Sequence, residues 1–254
     1  MSGTPSNPYN PNAYNPPAPP TPMTPSQLGV QPAPALVQQL LVGAFGWMFA
    51  ALLLSAAVAA LVGSSPQLLL KVTDFWFLIV IGQLILGVGI QVAIRKLSPI
   101  ASLGLFFVYA ASMGLTLGVI VWSVMQTSGG EMAVTSAFLS ASAAFGGAAL
   151  YGGVAKRDLT KLGGILFMGV FGIFIALIVN LFLQNDILYF WISVIGVVIF
   201  TALTAYDVQN IKNGNYAAYT GSPERASILA ALHLYLNFIN LFIFFLRIFG
   251  GGRN

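Results

Sequence analysis

Seven stretches of mainly apolar residues alternate with short polar segments along this chain. A helix needs about 20 such residues to cross roughly 30 Å of hydrocarbon, and each stretch is long enough. The pattern therefore predicts seven membrane-spanning helices, at approximately 37–62, 75–94, 101–125, 132–154, 163–183, 187–208 and 227–249. We expect them to form one transmembrane domain over 36–250.

The composition strengthens the membrane assignment. Hydrophobic residues make up 57% of the chain and charged residues 6%, whereas soluble domains are about 45–50% apolar and about 25% charged. We therefore expect an all-α integral membrane protein whose main partner is the lipid bilayer. The formal charge of +4 comes from loops between apolar stretches, so it does not indicate a nucleic-acid partner. With no cysteine, the chain can form neither disulfides nor thiol-based sites.

Residues 1–35 differ from the rest of the chain. They hold most of its 14 prolines and no charged side chain. Such a segment cannot bury a core, and its prolines favour extended polyproline-II conformations. We predict a disordered cytoplasmic tail, with a docking site for a proline-recognising protein partner as the alternative. The tail has no basic n-region, so it is not a typical signal peptide.

Basic residues predict how the helices are oriented. The loops after the second, fourth and sixth stretches hold Arg95, Lys96, Lys156, Arg157, Lys161, Lys212 and Arg225, and the other loops hold Lys71. Cytoplasmic loops carry the excess of Lys and Arg, so the N-terminus is expected in the cytoplasm and the C-terminus outside. Arg247 and Arg253 would then lie outside, which leaves a re-entrant last segment as the alternative. Short loops and the lack of a targeting signal favour a bacterial cytoplasmic membrane.

Three acidic residues fall in the predicted outer loops. Asp74, Glu131 and Asp186 would form a mildly negative outer vestibule that attracts cations. The alternative is that basic residues are merely depleted on that side.

Asp207 is the one acidic residue that falls inside an apolar stretch. A carboxylate within a span costs about 2.5–3.5 kcal/mol on insertion scales, so such residues face a bundle interior or an aqueous cavity and are functional candidates. In the last stretch His233 and Asn237 lie four residues apart and share one helix face, which Asn240 continues. At 1.5 Å per residue Asp207 is about 7 Å deep, His233 about 9 Å and Asn237 about 15 Å. His233 is thus at least as well placed as Asn237 to meet Asp207.

Other polar residues also lie within the stretches or beside Asp207. Asn180, Asn240, Gln83 and Tyr206 would either line a pore or hold helices together. Interhelical hydrogen bonds worth about 0.6–2 kcal/mol each are the default interpretation of the two asparagines.

The residues around Asp207 and in the last stretch resemble the Bax inhibitor-1 family of transmembrane Bax-inhibitor-motif proteins. The resemblance rests on Tyr206-Asp207 through Ile211-Lys212, on the segment 234–242 and on Leu246-Arg247. It covers about residues 37–250 and includes Gly46-Trp47-Met48-Phe49. It implies a seven-helix bundle with the last helix near the centre. It further implies a pH-sensitive calcium leak and, in eukaryotes, suppression of cell death, while some bacterial members modulate a membrane-bound protease.

In that family an aspartate at the position of Asp207 pairs with a second aspartate in the last helix, forming a proton-sensitive latch. A basic residue at the end of the second span can bind it. Arg95 is the nearest match here, with Lys96 as the other alignment choice. This chain has Asn237 where the second aspartate is expected, so the coupled titration of two carboxylates is lost.

We hypothesise that His233 supplies the missing titratable partner. Histidine changes its charge near neutral pH. A protonated His233 paired with Asp207 would hold the last two helices together, and deprotonation would loosen them. The alternative is a neutral histidine that is hydrogen-bonded within the bundle.

The sequence therefore predicts a cation leak channel or slow exchanger without a cofactor. A tight calcium site needs six to eight oxygen ligands, and one membrane carboxylate with Asn237 and Tyr206 supplies too few, so any calcium contact is expected to be weak and transient. No enzymatic activity is expected, because hydrolase and zinc motifs are absent and an aspartyl protease needs two membrane aspartates. The alternative function is a non-conducting interaction protein that regulates a membrane protease or a stress or cell-death response.

Overall fold

Helices make up nearly all of residues 32–251, the part of the chain that the computed structural model describes. Within that range the α-helices are α1 Pro34–Ser64, α2 Pro66–Asp74, α3 Trp76–Ala93, α4 Pro99–Met125, α5 Gly130–Val154, α6 Gly163–Leu183, α7 Asp186–Lys212, α8 Asn215–Thr220 and α9 Pro223–Gly250. All except α2 and α8 are long and apolar enough to cross a membrane, which makes seven. The predicted all-α fold with seven spans is confirmed. The predicted tail lies outside the described residues as far as position 31.

Ser-Pro pairs fix the start of three helices. Ser65, Ser98 and Ser222 accept a hydrogen bond from the backbone N–H three residues later, at 3.4, 3.2 and 3.4 Å. The proline that follows each serine begins the helix, since its fixed φ suits the first helical position. Caps of this kind lie outside the apolar stretch. The helices α4 and α9 therefore begin at 99 and 223, earlier than the stretches at 101 and 227 predict.

The last helix occupies the centre of the bundle, as predicted. It packs against α1, α4, α5, α7 and α8, and its most apolar window is far more buried than that of any other described spanning helix. It is one unbroken helix of 28 residues, about 42 Å long at 1.5 Å per residue. That length exceeds the hydrocarbon thickness of roughly 30 Å and favours a spanning segment over a re-entrant one.

Buried hydrogen bonds join α9 to its neighbours. The Tyr235 hydroxyl lies 2.8 Å from Ser55 Oγ, and Ser55 Oγ also donates to the carbonyl of Ala110 at 2.7 Å. These contacts connect α9, α1 and α4. Similarly, Gln83 Nε2 lies 2.7 Å from both the Ser112 carbonyl and Thr116 Oγ1. Gln83 thus attaches α3 to α4, which is the packing role rather than a pore-lining one.

The basic loops meet at one end of the bundle. Arg225 Nη1 donates to the carbonyl of Arg95 at 2.6 Å, and Lys212 Nζ donates to the carbonyl of Gly153 at 2.8 Å. We call this end the basic end. At the opposite end Arg247 forms an ion pair with Asp186 and stacks over the Tyr189 ring at 4.3 Å. The end of α9 therefore lies beside the start of α7, at the far side of the bundle from the loops after α3, α5 and α7.

A close approach of α5 to α7 depends on Gly152. A Cβ atom at this position would lie 2.3 Å from the carbonyl oxygen of Ala205, whereas a Cβ at the neighbouring Gly153 meets no atom within 4 Å. We expect Gly152→Ala to force the two helices apart and to destabilise the fold by about 1–3 kcal/mol. Gly153→Ala is the matched control and should be neutral or slightly stabilising, because alanine favours helix by up to about 1 kcal/mol. Thermal unfolding in detergent measures both; equal melting temperatures would contradict the close packing.

Candidate functional site

Asp207 is the only buried acid among the chain's six acidic residues, all of which lie in the described range. Its carboxylate is hydrogen-bonded on both oxygens. Asn237 Nδ2 of α9 donates to Oδ2 at 2.6 Å, and the Tyr216 hydroxyl of α8 donates to Oδ1 at 2.6 Å. Three helices therefore meet on one carboxylate. Hydrogen bonds of this kind compensate for the removal of a charged group from water.

His233 joins this cluster from one turn earlier on α9. Its Nδ1 lies 2.9 Å from the Tyr216 hydroxyl and 3.5 Å from Asp207 Oδ1. Its Nε2 lies 3.1 Å from Oε1 of Gln91 on α3. The predicted neighbours Asp207, Asn237 and His233 are thus brought together. We call these three residues, with Tyr216 and Gln91, the latch cluster.

The donors and acceptors in the latch cluster can accommodate a doubly protonated histidine. Tyr216 has one hydroxyl proton, so beside an ionised Asp207 this proton goes to the carboxylate and His233 Nδ1 supplies the proton of its own contact with Tyr216. Gln91 Nε2 donates to the Gly87 carbonyl at 3.2 Å, which leaves the acceptor Oε1 facing His233. Both ring nitrogens therefore face acceptors. An imidazolium satisfies every contact beside an ionised Asp207, and a neutral ring does so beside a protonated Asp207 that donates to the Tyr216 oxygen.

Tyr216 is held as a hydrogen-bond donor by its surroundings. Burial is the largest influence on this phenol, and the Asp207 charge and hydrogen bond act in the same direction. Together they raise the pKa of Tyr216 well above its ordinary value. The hydroxyl keeps its proton throughout the physiological pH range and remains bonded to Asp207.

The position of Tyr216 depends on two glycines that bound α8. Gly214 and Gly221 have φ values of +70° and +67°, in the left-handed region that glycine adopts without a Cβ penalty. They turn the chain at both ends of α8 and lay it across the latch cluster. The sequence pattern missed this helix, because six residues carry no clear periodicity. The glycines that bracket the segment were the available signal, but they do not reveal whether Tyr216 or Tyr219 faces inward.

A polar cavity of about 500 Å³ reaches the latch cluster from the basic end. Its lining includes Gln91, Tyr216 and His233, with Asp158 and Lys161 from the segment between α5 and α6. The His233 side chain is 29% exposed and that of Asp207 only 4%. Water and protons therefore reach His233 through the cavity, and Asp207 lies behind it.

Charges at the cavity mouth come from the segment between α5 and α6. Side-chain and backbone hydrogen bonds from Thr160 hold the pKa of Asp158 below its ordinary value. Asp158 is therefore a fixed negative charge near Lys161. Gln209 anchors the same segment to α7, since its Oε1 accepts from the Leu159 N–H at 2.7 Å and its Nε2 donates to the Arg157 carbonyl at 2.8 Å.

Arg95 lies away from the latch cluster. Its guanidinium is 5.5 Å from the centre of the Tyr219 ring, and its side chain is exposed. Within residues 32–251 it forms no ion pair or hydrogen bond with Asp207. Lys96, the other alignment choice, is likewise exposed. The structure therefore does not bring the basic residue implied by the family resemblance to the carboxylate.

The remaining polar candidates make local contacts. Asn240 Nδ2 donates to the Leu236 carbonyl of its own helix at 2.7 Å, and Asn180 Oδ1 accepts from the Asn185 N–H at 3.2 Å. The default interpretation expected both asparagines to join spanning helices side by side, and neither of these bonds does so. The Tyr206 hydroxyl lies close against Gly163 at the start of α6, although its ring also borders the polar cavity.

The expected outer vestibule loses part of its charge. Asp186 is paired with Arg247, while Asp74 and Glu131 are exposed at the end of α2 and the start of α5. Among the described residues, no three or more His, Cys, Asp or Glu side chains are placed to hold a metal ion together. Asp207 is the one buried carboxylate, which falls far short of the six to eight oxygens of a tight calcium site.

Comparisons with known proteins agree on one family. The model of the family described as "Inhibitor of apoptosis-promoting Bax1" matches residues 37–254. The chain is 40% identical over 230 residues to the inner membrane protein YbhL of Escherichia coli strain K12, covering 88% of this chain and 96% of YbhL. It is 36% identical over 211 residues to an uncharacterized protein of Deinococcus radiodurans, covering 83% of this chain and 89% of that protein.

Removal of one hydroxyl group tests the latch geometry. Tyr216→Phe leaves Asp207 Oδ1 and His233 Nδ1 without their common partner, so we expect a loss of about 1.5–3 kcal/mol, the usual worth of a hydrogen bond to a charged group. Tyr219→Phe on the same helix is the control, because that ring is 49% exposed and should change stability little. Thermal unfolding in detergent at about pH 6 compares them. Equal shifts in melting temperature would show that the Tyr216 hydroxyl does not hold the cluster.

Proposed function

The chain belongs to the Bax inhibitor-1 family, and from that membership we propose that it is a pH-sensitive cation leak channel or slow exchanger. The latch cluster would be its gate, which opens when the last two spanning helices separate. Its site of action would be a bacterial cytoplasmic membrane, in keeping with the name of the inner membrane protein YbhL.

One observation carries this proposal: a buried carboxylate shared by α7, α8 and α9 lies beside the chain's only histidine, and this histidine lines a polar cavity. Intramembrane acids that face a cavity belong to ion or proton pathways by default. A contact shared by three helices can also be broken as a unit. Release of Asp207 from Tyr216 and Asn237 would free α8 and the basic end of α7.

The direction of the pH dependence follows from proton counting. The groups that face His233 are Asp207 from α7, Tyr216 from α8 and Gln91 from α3, with Asp158 and Lys161 farther out along the cavity. In the latched state His233 holds a proton that it gives up when the cluster opens. The latched state thus binds more protons, and a rise in pH shifts the population toward the open state. Leak should increase as pH rises through the range where histidine changes charge, about 5 to 8.

The transported ion would be held weakly. Asp207 is the single buried carboxylate, and conduction requires that an ion leave its site as readily as it enters. Calcium or another cation would therefore make brief contacts with Asp207 and neighbouring carbonyl oxygens. The basic end would face the cytoplasm by the distribution of Lys and Arg, which places the polar cavity inside the cell and the end of α9 outside.

Reconstitution in liposomes with an enclosed calcium dye tests the proposal. The latch contacts to charged groups are worth about 1.5–3 kcal/mol, which is roughly a ten- to hundredfold change in the opening equilibrium. We expect flux to increase by about that factor between pH 6 and 8. His233→Gln should remove the pH dependence, and Asp207→Asn should abolish or flatten the flux. Asn240→Ala is the control, because Asn240 lies one turn beyond Asn237 yet bonds only to its own helix among the contacts described.

The same experiment distinguishes the competing function, a non-conducting interaction protein that regulates a membrane protease or a stress response. In that case the latch cluster only holds the bundle together. Flux no greater than in protein-free liposomes at every pH would support that function and overturn the leak. A pH profile that His233→Gln leaves unaltered would overturn the role of the histidine alone.

A further inference from the structure

A second large cavity lies between α1, α4, α5 and α9, and it differs in character from the polar one. Its volume is about 980 Å³ and its lining is almost wholly apolar. Along α1 it extends from Met48 to Ser64, which is about 24 Å at 1.5 Å per residue. We call it the apolar crevice. It is long and narrow and runs parallel to the spanning helices.

Small side chains create the crevice. Ala56, Ala59, Ala60 and Gly63 line it along α1, so this helix presents little bulk toward α5. The helix α4 approaches α1 closely at Gly118, where a Cβ atom would lie 2.6 Å from Val62. The helix α5 has no comparable contact with this part of α1. The space left between them is walled by aromatic side chains, with Trp122 on one side, Phe138 on the other and Phe238 and Phe242 at the floor.

The chemistry of the lining excludes water as a stable occupant. A buried water needs two to four polar partners. The Ser55 hydroxyl at the floor is already engaged by the Ala51 and Ala110 carbonyls and by Tyr235. The remaining polar groups are few and include Ser64 at the end of α1 and Gln126 just after the end of α4. An occupant with a polar end and a long apolar body matches this arrangement.

The position of the crevice among spanning helices indicates what this occupant is. All four helices that line the crevice are among the seven long enough to cross a membrane, and the crevice reaches the protein surface at the exposed side chains of Phe49, Leu53 and Phe138. An empty cavity of this size would forfeit the dispersion contacts of its whole lining. Lipid chains surround the protein at high concentration. We propose that the apolar crevice binds one acyl chain of a membrane phospholipid, with the head group beside Ser64 and Gln126. This proposal does not depend on the leak function.

Tryptophan fluorescence tests it directly, because Trp122 lines the crevice and Trp191 on α7 does not. Both lie near helix ends on the same side of the bundle, and Trp191 is 57% exposed to the surrounding lipid. Two single-tryptophan proteins are compared in bilayers that contain increasing fractions of phospholipid brominated on its acyl chains. One retains Trp122 and the other Trp191, with phenylalanine at the other three of the four tryptophan positions. A single bound chain is brominated as often as the bilayer lipid, so quenching of Trp122 should rise linearly with the brominated fraction. Trp191 faces several lipid chains and should reach half its maximal quenching at a lower fraction.

A variant with a bulky side chain in the crevice provides a second test of the proposal. A Cβ atom at Gly63 meets no heavy atom within 4 Å, and the same is true of Gly82 on α3, which lies outside the crevice. Gly63→Phe should therefore obstruct the mouth of the crevice and lower the maximal quenching of Trp122. Gly82→Phe, the matched control, should leave the Trp122 curve unchanged.

Three results would overturn the proposal. If Trp122 and Trp191 give the same curve in the otherwise unmodified protein, only the general lipid layer contacts the crevice. If aqueous iodide quenches Trp122 strongly, the crevice holds water. If Gly63→Phe leaves the quenching of Trp122 unchanged, the bound chain lies elsewhere. Equal melting temperatures of the two glycine variants would show that both are folded.

Discussion

A single carboxylate buried among membrane-spanning helices requires hydrogen-bond partners from the protein itself, because lipid offers none. Asp207 obtains them from Asn237 of α9 and Tyr216 of α8, at 2.6 Å each. His233 then fits beside the same carboxylate, and Gln91 of α3 supports the far side of its ring. Elements distant in sequence are therefore held in one arrangement by the need to satisfy one charge.

This requirement agrees with the rest of the architecture. The helix α9 supplies two partners of Asp207 and is also the most buried of the described spanning helices, in contact with five others. Away from the latch cluster the bundle is held by ordinary means. Close backbone approaches at Gly152 and Gly118 bring helices together, and Ser55 and Tyr235 join three helices by hydrogen bonds. Asp207 therefore differs from the other buried polar groups, since it alone is an acid and lies next to a group that can change its charge.

The spanning helices were predictable because the length and hydrophobicity of each one are properties of its own stretch of sequence. Depth along a helix pointed to His233 as a neighbour of Asp207, and the four-residue spacing put Asn237 on the same face. The pairing of Asp207 with the position of Asn237 was implied by the family resemblance. The sequence did not predict Tyr216 or the contact of Gln91, because these depend on how α8 turns at Gly214 and Gly221 and on which face of α3 is directed inward. The family resemblance implied that Arg95 binds the latch, but the structure places its guanidinium over the Tyr219 ring instead of beside Asp207.

The charge state of His233 is the point on which the account of the latch cluster depends. The chain has only one histidine, so nitrogen NMR of histidine-labelled protein reports this ring without ambiguity. At about pH 6, near the range where histidine changes charge, we expect protons on both ring nitrogens. The Nδ1 proton signal should shift in Asp207→Asn and in Tyr216→Phe, while the Nε2 proton signal stays in place. A ring whose Nδ1 carries no proton at that pH, or whose Nδ1 signal is unaffected by both substitutions, would contradict it.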